Sequence, residues 1–319
     1  MGRHVLGNCP ELDRIVDDAC AEIGREIAAL AIPRLAGVVL GGGYGRGEGG
    51  AIERGMGNGE RGTAVLSNDL DFFAVTEDGV PEAETIAAIG EALKPVAEKW
   101  TKKLGVDVDF AVKTPWRLKH DEERIMVQEL MRGYFDVAGK KGEELFAGIA
   151  QIPAAKLPWM EAARLMMNRG MGLLFAMTGN RDRDFASRNI NKCILGAGDA
   201  RLVAKGAYAW RAEERAAALD DALYSAAVEW KFRPKAEPVC DWEKAREYWL
   251  KAQAEISRTS RTSRTLRNAA RWIARRRSIG DLRTFGLDPV VRVLGQVERG
   301  VRERRAPDSA LLRDWQVFN

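Results

Sequence analysis

Two short stretches, "LSNDLDFFAV" (66–75) and "VDVDFAV" (106–112), carry the residues whose types and spacing suit chemistry. Asp69 and Asp71 stand two apart among Leu70, Phe72, Phe73, Ala74 and Val75. Side chains at i and i+2 leave an extended strand on one face, so the two carboxylates lie side by side. Like charges that close repel and are costly to desolvate, unless a cation or a shared proton compensates. Asp107 and Asp109 repeat the pattern. Carboxylates from two neighbouring strands, meeting on one side of a sheet, make a set of hard oxygen ligands suited to Mg²⁺, with positions left for water and phosphate oxygens. Two such ions clamp the attacking and leaving oxygens of a phosphoryl or nucleotidyl transfer.

Upstream lies "VVLGGGYGRGEGG" (38–50), an apolar run that breaks into glycines whose backbone N–H groups can approach phosphate oxygens. Within it Arg46 is a candidate for nucleotide phosphate and Glu48 for metal, against the plainer reading that they pair with each other. "GRGEGG" also fits G-x-G-x-x-G at Gly45, Gly47 and Gly50, but more glycines follow it, not a helix pattern. There is no G-K-[ST] of a P-loop and no recognisable kinase H-R-D-like or D-F-G segment.

The elements that must hold these residues follow from periodicity. Leu12, Ile15, Val16, Ala19, Ile23 and Ile27 recur at helical steps over 10–31. "LAGVVL" (35–40) has strand length, and the eleven glycines of 41–62 read as a loop. The D-x-D strand comes next, then an amphipathic helix over 81–104, then the strand 106–112. Helix, strand, glycine loop, strand, helix, strand is an α/β pattern. From about residue 158 the reading is helical throughout: "PWMEAARLMMNRGMGLLFAMTG", "RNINKCILGAGDARLVAKGAYAW", "AEERAAALDDALYSAAVEWKF" and 241–277. Only short helices are expected in the last forty residues. The boundary is placed in the Pro153–Pro158 stretch, giving domains 1–152 and 153–319.

A strand, Gly42–Gly43, then Asp69 and Asp71 on the next strand and Asp109 on a later one resembles the DNA polymerase β-type nucleotidyltransferase superfamily. The likeness covers roughly residues 10–115; the 25 residues between Gly43 and Asp69 include a glycine-rich insertion at 49–62. The resemblance implies a nucleotidyltransferase-like mixed sheet with flanking helices, followed by an all-helical domain, with nucleotide in the cleft between. It implies that Asp69 and Asp71 bind Mg²⁺ (or Mn²⁺), and that the third carboxylate, Asp109 preferred over Asp107, binds the catalytic metal and helps activate an acceptor hydroxyl. An NTP, ATP favoured, is then substrate. The acceptor is a small molecule by preference, with a protein or an RNA end open. The rival is a nucleotide- or RNA-binding regulatory protein on the same fold, without turnover.

In the helical part Arg188 and Lys192 share a face, and Lys192 suits the β- and γ-phosphates. Asn168 and Arg169 are candidates for lining the cleft. Arg258, Arg261, Arg264, Arg267, Arg271 and Arg275 form a basic stripe that suits RNA or an acidic partner, or is simply a solvated face. The formal charge of +4 adds little to that. No run approaches the ~18 apolar residues of a membrane span, and no signal-peptide core is seen, so a cytoplasmic protein is expected. Cys9, Cys20, Cys193 and Cys240 are scattered and read as reduced thiols. His4 and His120 are the only histidines, which argues against a His-rich zinc site or a Ser-His-Asp hydrolase.

Overall fold

The computed structural model describes residues 3–7, 9–54, 63–178, 183–260 and 289–317. Within these the chain divides into two compact units, Met1–Ile152 with Phe232–Pro234, and Pro153–Lys231 with Lys235–Asn319.

The first unit is built on six strands: β1 (Leu35–Leu40), β2 (Ala51–Arg54), β3 (Thr63–Leu66), β4 (Leu70–Thr76), β5 (Val108–Lys113) and β6 (Phe135–Gly139). Four of them form a mixed sheet in the order β5-β4-β1-β6, and β2 and β3 pair separately. β4 and β5 run parallel, with Asp71 opposite Asp109. β1 is antiparallel to both β4 and β6. The parallel pair requires a crossover, supplied by helix α3 (Glu82–Leu104); α1 (Pro10–Leu30) precedes the sheet, and α2 (Gly42–Gly45) is a single turn.

Alternation along the strands explains why "FFAV" is apolar throughout. Leu70, Phe72 and Ala74 of β4 pack with Leu12, Val16 and Ile23 of α1 and Ile89, Leu93 and Trp100 of α3. Phe73 and Val75 face the other way, against Leu118, Val127, Leu130 and Leu145. Those residues come from three short helices, α4 (Pro115–His120), α5 (Ile125–Leu130) and α6 (Gly142–Leu145). A strand covered on both faces reads as a continuous apolar run. Asp71 interrupts that run on the Phe73 side.

The second unit is helical. α7 (Trp159–Met177) packs on α8 (Arg183–Lys205), with α9 (Ala212–Leu219), α10 (Ala222–Phe232), α11 (Trp242–Ser260), α12 (Pro289–Glu303) and α13 (Ser309–Gln316) following. The buried Trp249 indole of α11 donates to the Met166 carbonyl of α7 at 3.0 Å. No helix among the described residues is long and apolar enough to cross a membrane.

Several expectations need correction. The loop read across 41–62 is regular at both ends: Gly42–Gly45 closes a helical turn, and Ala51–Arg54 pairs with Thr63–Leu66 in an antiparallel ladder. Glycine content lowers propensity, but backbone partners decide the outcome; residues 55–62 lie outside the described residues. "AEERAAALDDALYSAAVEWKF" is two helices, not one. Asp220 takes a left-handed conformation (φ 48°), and the Asp221 carboxylate accepts from the Leu223 and Tyr224 N–H groups at 3.1 Å each, starting the second helix. The C-terminal region contains a 15-residue helix, Pro289–Glu303, longer than anticipated. Of the basic stripe, Arg258 lies in the last turn of α11, and the arginines from 261 to 275 lie outside the described residues.

Helix α1 lies so close to β6 that a Cβ on Gly24 would overlap the Val137 carbonyl oxygen. Gly→Ala inside a helix ordinarily stabilises by about 1 kcal/mol. Here Gly24→Ala is expected instead to destabilise by about 1–3 kcal/mol through overpacking, read from the urea midpoint.

Candidate active site

The parallel register of β4 and β5 carries the carboxylates. Leu70 N–H donates to the Asp107 carbonyl at 2.8 Å, so the two strands enter the sheet together. One step in, Asp71 and Asp109 stand directly opposite each other. Asp69 and Asp107 lie just before their strands, not within them. Sequence parity could not separate Asp107 from Asp109; the register sets Asp109 against Asp71. Asp69 and Asp71 are half-buried, whereas Asp107 and Asp109 are exposed.

The glycine turn is fitted to Asp71. Gly41 N–H donates to the Asp71 carbonyl at 2.8 Å, fixing the end of β1 to the start of β4. Gly42 follows with φ +58°, and a Cβ there would overlap Asp71 Oδ2. The space taken by that carboxylate oxygen is thus left by a missing side chain, in a conformation that glycine adopts freely. Gly43 is less constrained, since a Cβ there would stand 3.1 Å from the Glu48 carbonyl oxygen.

Negative charge concentrates here. Partial burial, then the charges of Asp107 and Asp69, push the Asp109 carboxyl above its ordinary value. Among the described residues no group of three or more His, Cys, Asp or Glu side chains stands where it could hold a metal ion by itself. The donor set nevertheless fits a hard divalent cation. Mg²⁺ is commonly held by one or two carboxylates together with substrate phosphates and water, without an all-protein cage. The Gly42 cradle holds one such carboxylate in place.

Arg46 lies between two carboxylates, with Nε 3.6 Å from Glu48 and Nη1 3.1 Å from Glu129. All three side chains are largely buried. Lys192 is exposed on α8, as is Arg188. Asp199, further along α8, is engaged by the Arg215 guanidinium at 2.9 Å and by the Tyr224 hydroxyl. Asn168 accepts from the Trp315 indole at 3.1 Å, and burial holds the Arg169 guanidinium below its usual value. His120 stacks on the exposed Trp116 ring with centroids 5.0 Å apart.

Sequence reasoning missed a clasp around the glycine turn. Tyr44, fully buried, donates its hydroxyl to the Gly50 carbonyl at 2.9 Å and accepts from Ser67 and Asn68 N–H at 3.1 and 3.3 Å. Asn68 Oδ1 accepts from Gly50 N–H at 2.6 Å. From below, the His4 ring nitrogens lie 3.0 Å from the Tyr44 carbonyl and 3.0 Å from Asp17. The signal available in sequence was an aromatic ring inside a glycine run, where no local pattern requires one.

No family model matches the chain, and no curated protein matches it. Among solved structures it is similar to spectinomycin adenyltransferase AAD(9) from Enterococcus faecialis, solved with ATP and spectinomycin. The identity is 13% and the TM-score 0.37, over 77% of this chain and 99% of that one. A likeness at this level carries no weight for activity.

The raised Asp109 carboxyl fixes a sign for pH dependence. Between the ordinary 3.8 and its higher folded value, the native state binds more protons than the unfolded one. Stability therefore falls as pH rises through that window. Without divalent cations, Asp109→Asn is expected to lose this fall and to be the more stable protein above it, as measured by denaturant unfolding at stepped pH. Gly42→Ala is expected to destabilise by about 1–3 kcal/mol, read from the urea midpoint.

Proposed function

We propose that this chain is a divalent-metal-dependent nucleotidyltransferase, moving a nucleoside monophosphate from an NTP, ATP favoured, to a hydroxyl-bearing acceptor with release of pyrophosphate. The observation that carries this reading is the pairing of Asp71 with Asp109 across parallel strands, with Gly42 leaving room for the Asp71 carboxylate. A bare cluster of that kind is electrostatically unfavourable, and a cation relieves it.

In this reading Asp69, Asp71 and Asp109 hold Mg²⁺ or Mn²⁺. When bound, the cation neutralises triphosphate charge and the charge that develops on transfer. The acceptor oxygen attacks the α-phosphorus, and the bond to the pyrophosphate oxygen breaks. Asp109 takes the hydroxyl proton as the acceptor attacks. Gly42 and Gly43 begin α2, where first-turn N–H groups lack intrahelical acceptors and suit phosphate oxygens. Arg46, held between Glu48 and Glu129, fixes the turn. Lys192, exposed on α8, is the residue we propose for the β- and γ-phosphates of a bound NTP. A small-molecule acceptor is favoured over a protein side chain or an RNA end.

The test is incubation with each labelled NTP and Mg²⁺, across sugars, aminoglycosides, proteins and RNA ends, following pyrophosphate. Acceptor-dependent pyrophosphate is expected. Nucleotide binding with no turnover for any acceptor would favour a sensor on this fold instead. The double variant Asp69→Asn, Asp71→Asn is expected to lose both turnover and Mn²⁺ binding. Lys192→Ala is expected to weaken ATP binding by about 1–3 kcal/mol, as for a lost charge-assisted hydrogen bond, and AMP binding far less. Equal losses for ATP and AMP would remove Lys192 from the site.

A further inference from the structure

We infer that Tyr44 is a positioning residue for the Asp69 and Asp71 carboxylates, its buried hydroxyl setting the path of the backbone that presents them to a divalent cation. The inference rests on the metal-site reading above.

The hydroxyl ties two backbone segments together. It donates to Gly50 O at 2.9 Å on the far side of the glycine turn. It accepts from Ser67 N–H and Asn68 N–H, the two residues directly before Asp69. One oxygen atom thus bridges the turn that cradles Asp71 to the chain that delivers Asp69. Asn68 repeats the connection with its side chain, accepting from Gly50 N–H at 2.6 Å. Residues 67–69 lie between strands, since β3 ends at Leu66 and β4 begins at Leu70. Asp69 is therefore positioned by these bonds and not by ladder hydrogen bonds of its own.

The ring is fixed as firmly as the hydroxyl. A Cβ on Gly49 would overlap it, so the turn closes directly on the aromatic face. Its own carbonyl faces the His4 ring at 3.0 Å, and Gly49 N–H donates to the His4 carbonyl at 2.9 Å. Burial raises the phenol above its ordinary value, so the hydroxyl keeps the proton it donates to Gly50. Groups that orient metal-binding side chains in this way typically change metal affinity by about 10–100-fold when removed.

The experiment is a Mn²⁺ titration by electron paramagnetic resonance, with and without ATP, on wild type, Tyr44→Phe, Asn68→Ala and the Asp69→Asn, Asp71→Asn pair. Tyr44→Phe keeps the ring and deletes only the oxygen. It is expected to weaken Mn²⁺ binding about tenfold or more. Ile89→Ala, which empties volume in the same apolar cluster, controls for lost stability: at an equal or larger fall in Tm it is expected to keep wild-type Mn²⁺ affinity. Asn68→Ala is expected to weaken binding in the same direction and decides the matter if Tyr44→Phe does not fold. A folded Tyr44→Phe or Asn68→Ala with wild-type affinity overturns the role while leaving the metal-site reading standing. The role also falls if Ile89→Ala loses affinity in proportion to Tm, because the effect is then only stability. Wild type that binds no Mn²⁺, even with ATP, overturns the metal-site reading and this role together.

Discussion

Parallel pairing of β4 with β5 brings two aspartates face to face, and the arrangement of the first unit follows from holding them there. Parallel strands cannot be joined by a tight turn, so a helix of 23 residues, Glu82–Leu104, spans the crossover. That helix and α1 cover one face of the sheet, and the short helices of 115–145 cover the other. A strand packed on both faces has little freedom to shift register, because a one-residue slip would send Phe73 to the α1 side and Asp71 into the core. The apolar packing thus supplies what the carboxylates lack, a reason to stay together.

The glycine turn plays the complementary part. β1 lies antiparallel to β4 and leaves the sheet at Gly41, beside the backbone of Asp71. Gly42 then gives up a side chain so that a carboxylate can occupy the space. Tyr44, two residues on, returns a hydrogen bond to the chain before Asp69. Flexible residues are here locked by a rigid one, which is why a glycine-rich segment can be ordered at a site.

Periodicity makes the long elements of the first unit legible in the amino-acid order alone. Helix α1 and helix α3 have clear 3.6-residue patterns, and β1 and β4 are apolar runs of strand length. The i, i+2 aspartates announce themselves for the same reason. What escapes is short or tertiary. Helices α4, α5 and α6 span only four to six residues, too few for a repeat. β6, "FDVAG", has no strong alternation, and β2 is hidden by the glycines around it. The break at Asp220 rests on one left-handed residue inside an alanine-rich run. At the site, the identity of the carboxylate opposite Asp71 depends on strand register, and the Tyr44 clasp on hydrogen bonds between segments 6 to 24 residues apart. Neither follows from a local pattern; the clasp leaves only an aromatic ring standing inside a glycine run.

β6 is the sheet's distant partner. Leu40 pairs with Phe72 on one side, but with Phe135 on the other, about a hundred residues along the chain. Closing so long a loop costs more entropy than closing the β1–β4 or β4–β5 contacts, and long-range pairings slow folding. The order of assembly follows: β1, β4 and β5, with α3 between the last two, can form first, and β6 then seals the open edge of β1. Until it does, that edge presents unpaired backbone to any other strand. During synthesis both carboxylate strands are out once Lys113 has emerged, while the neighbouring edge of β1 stays open until Gly139 follows.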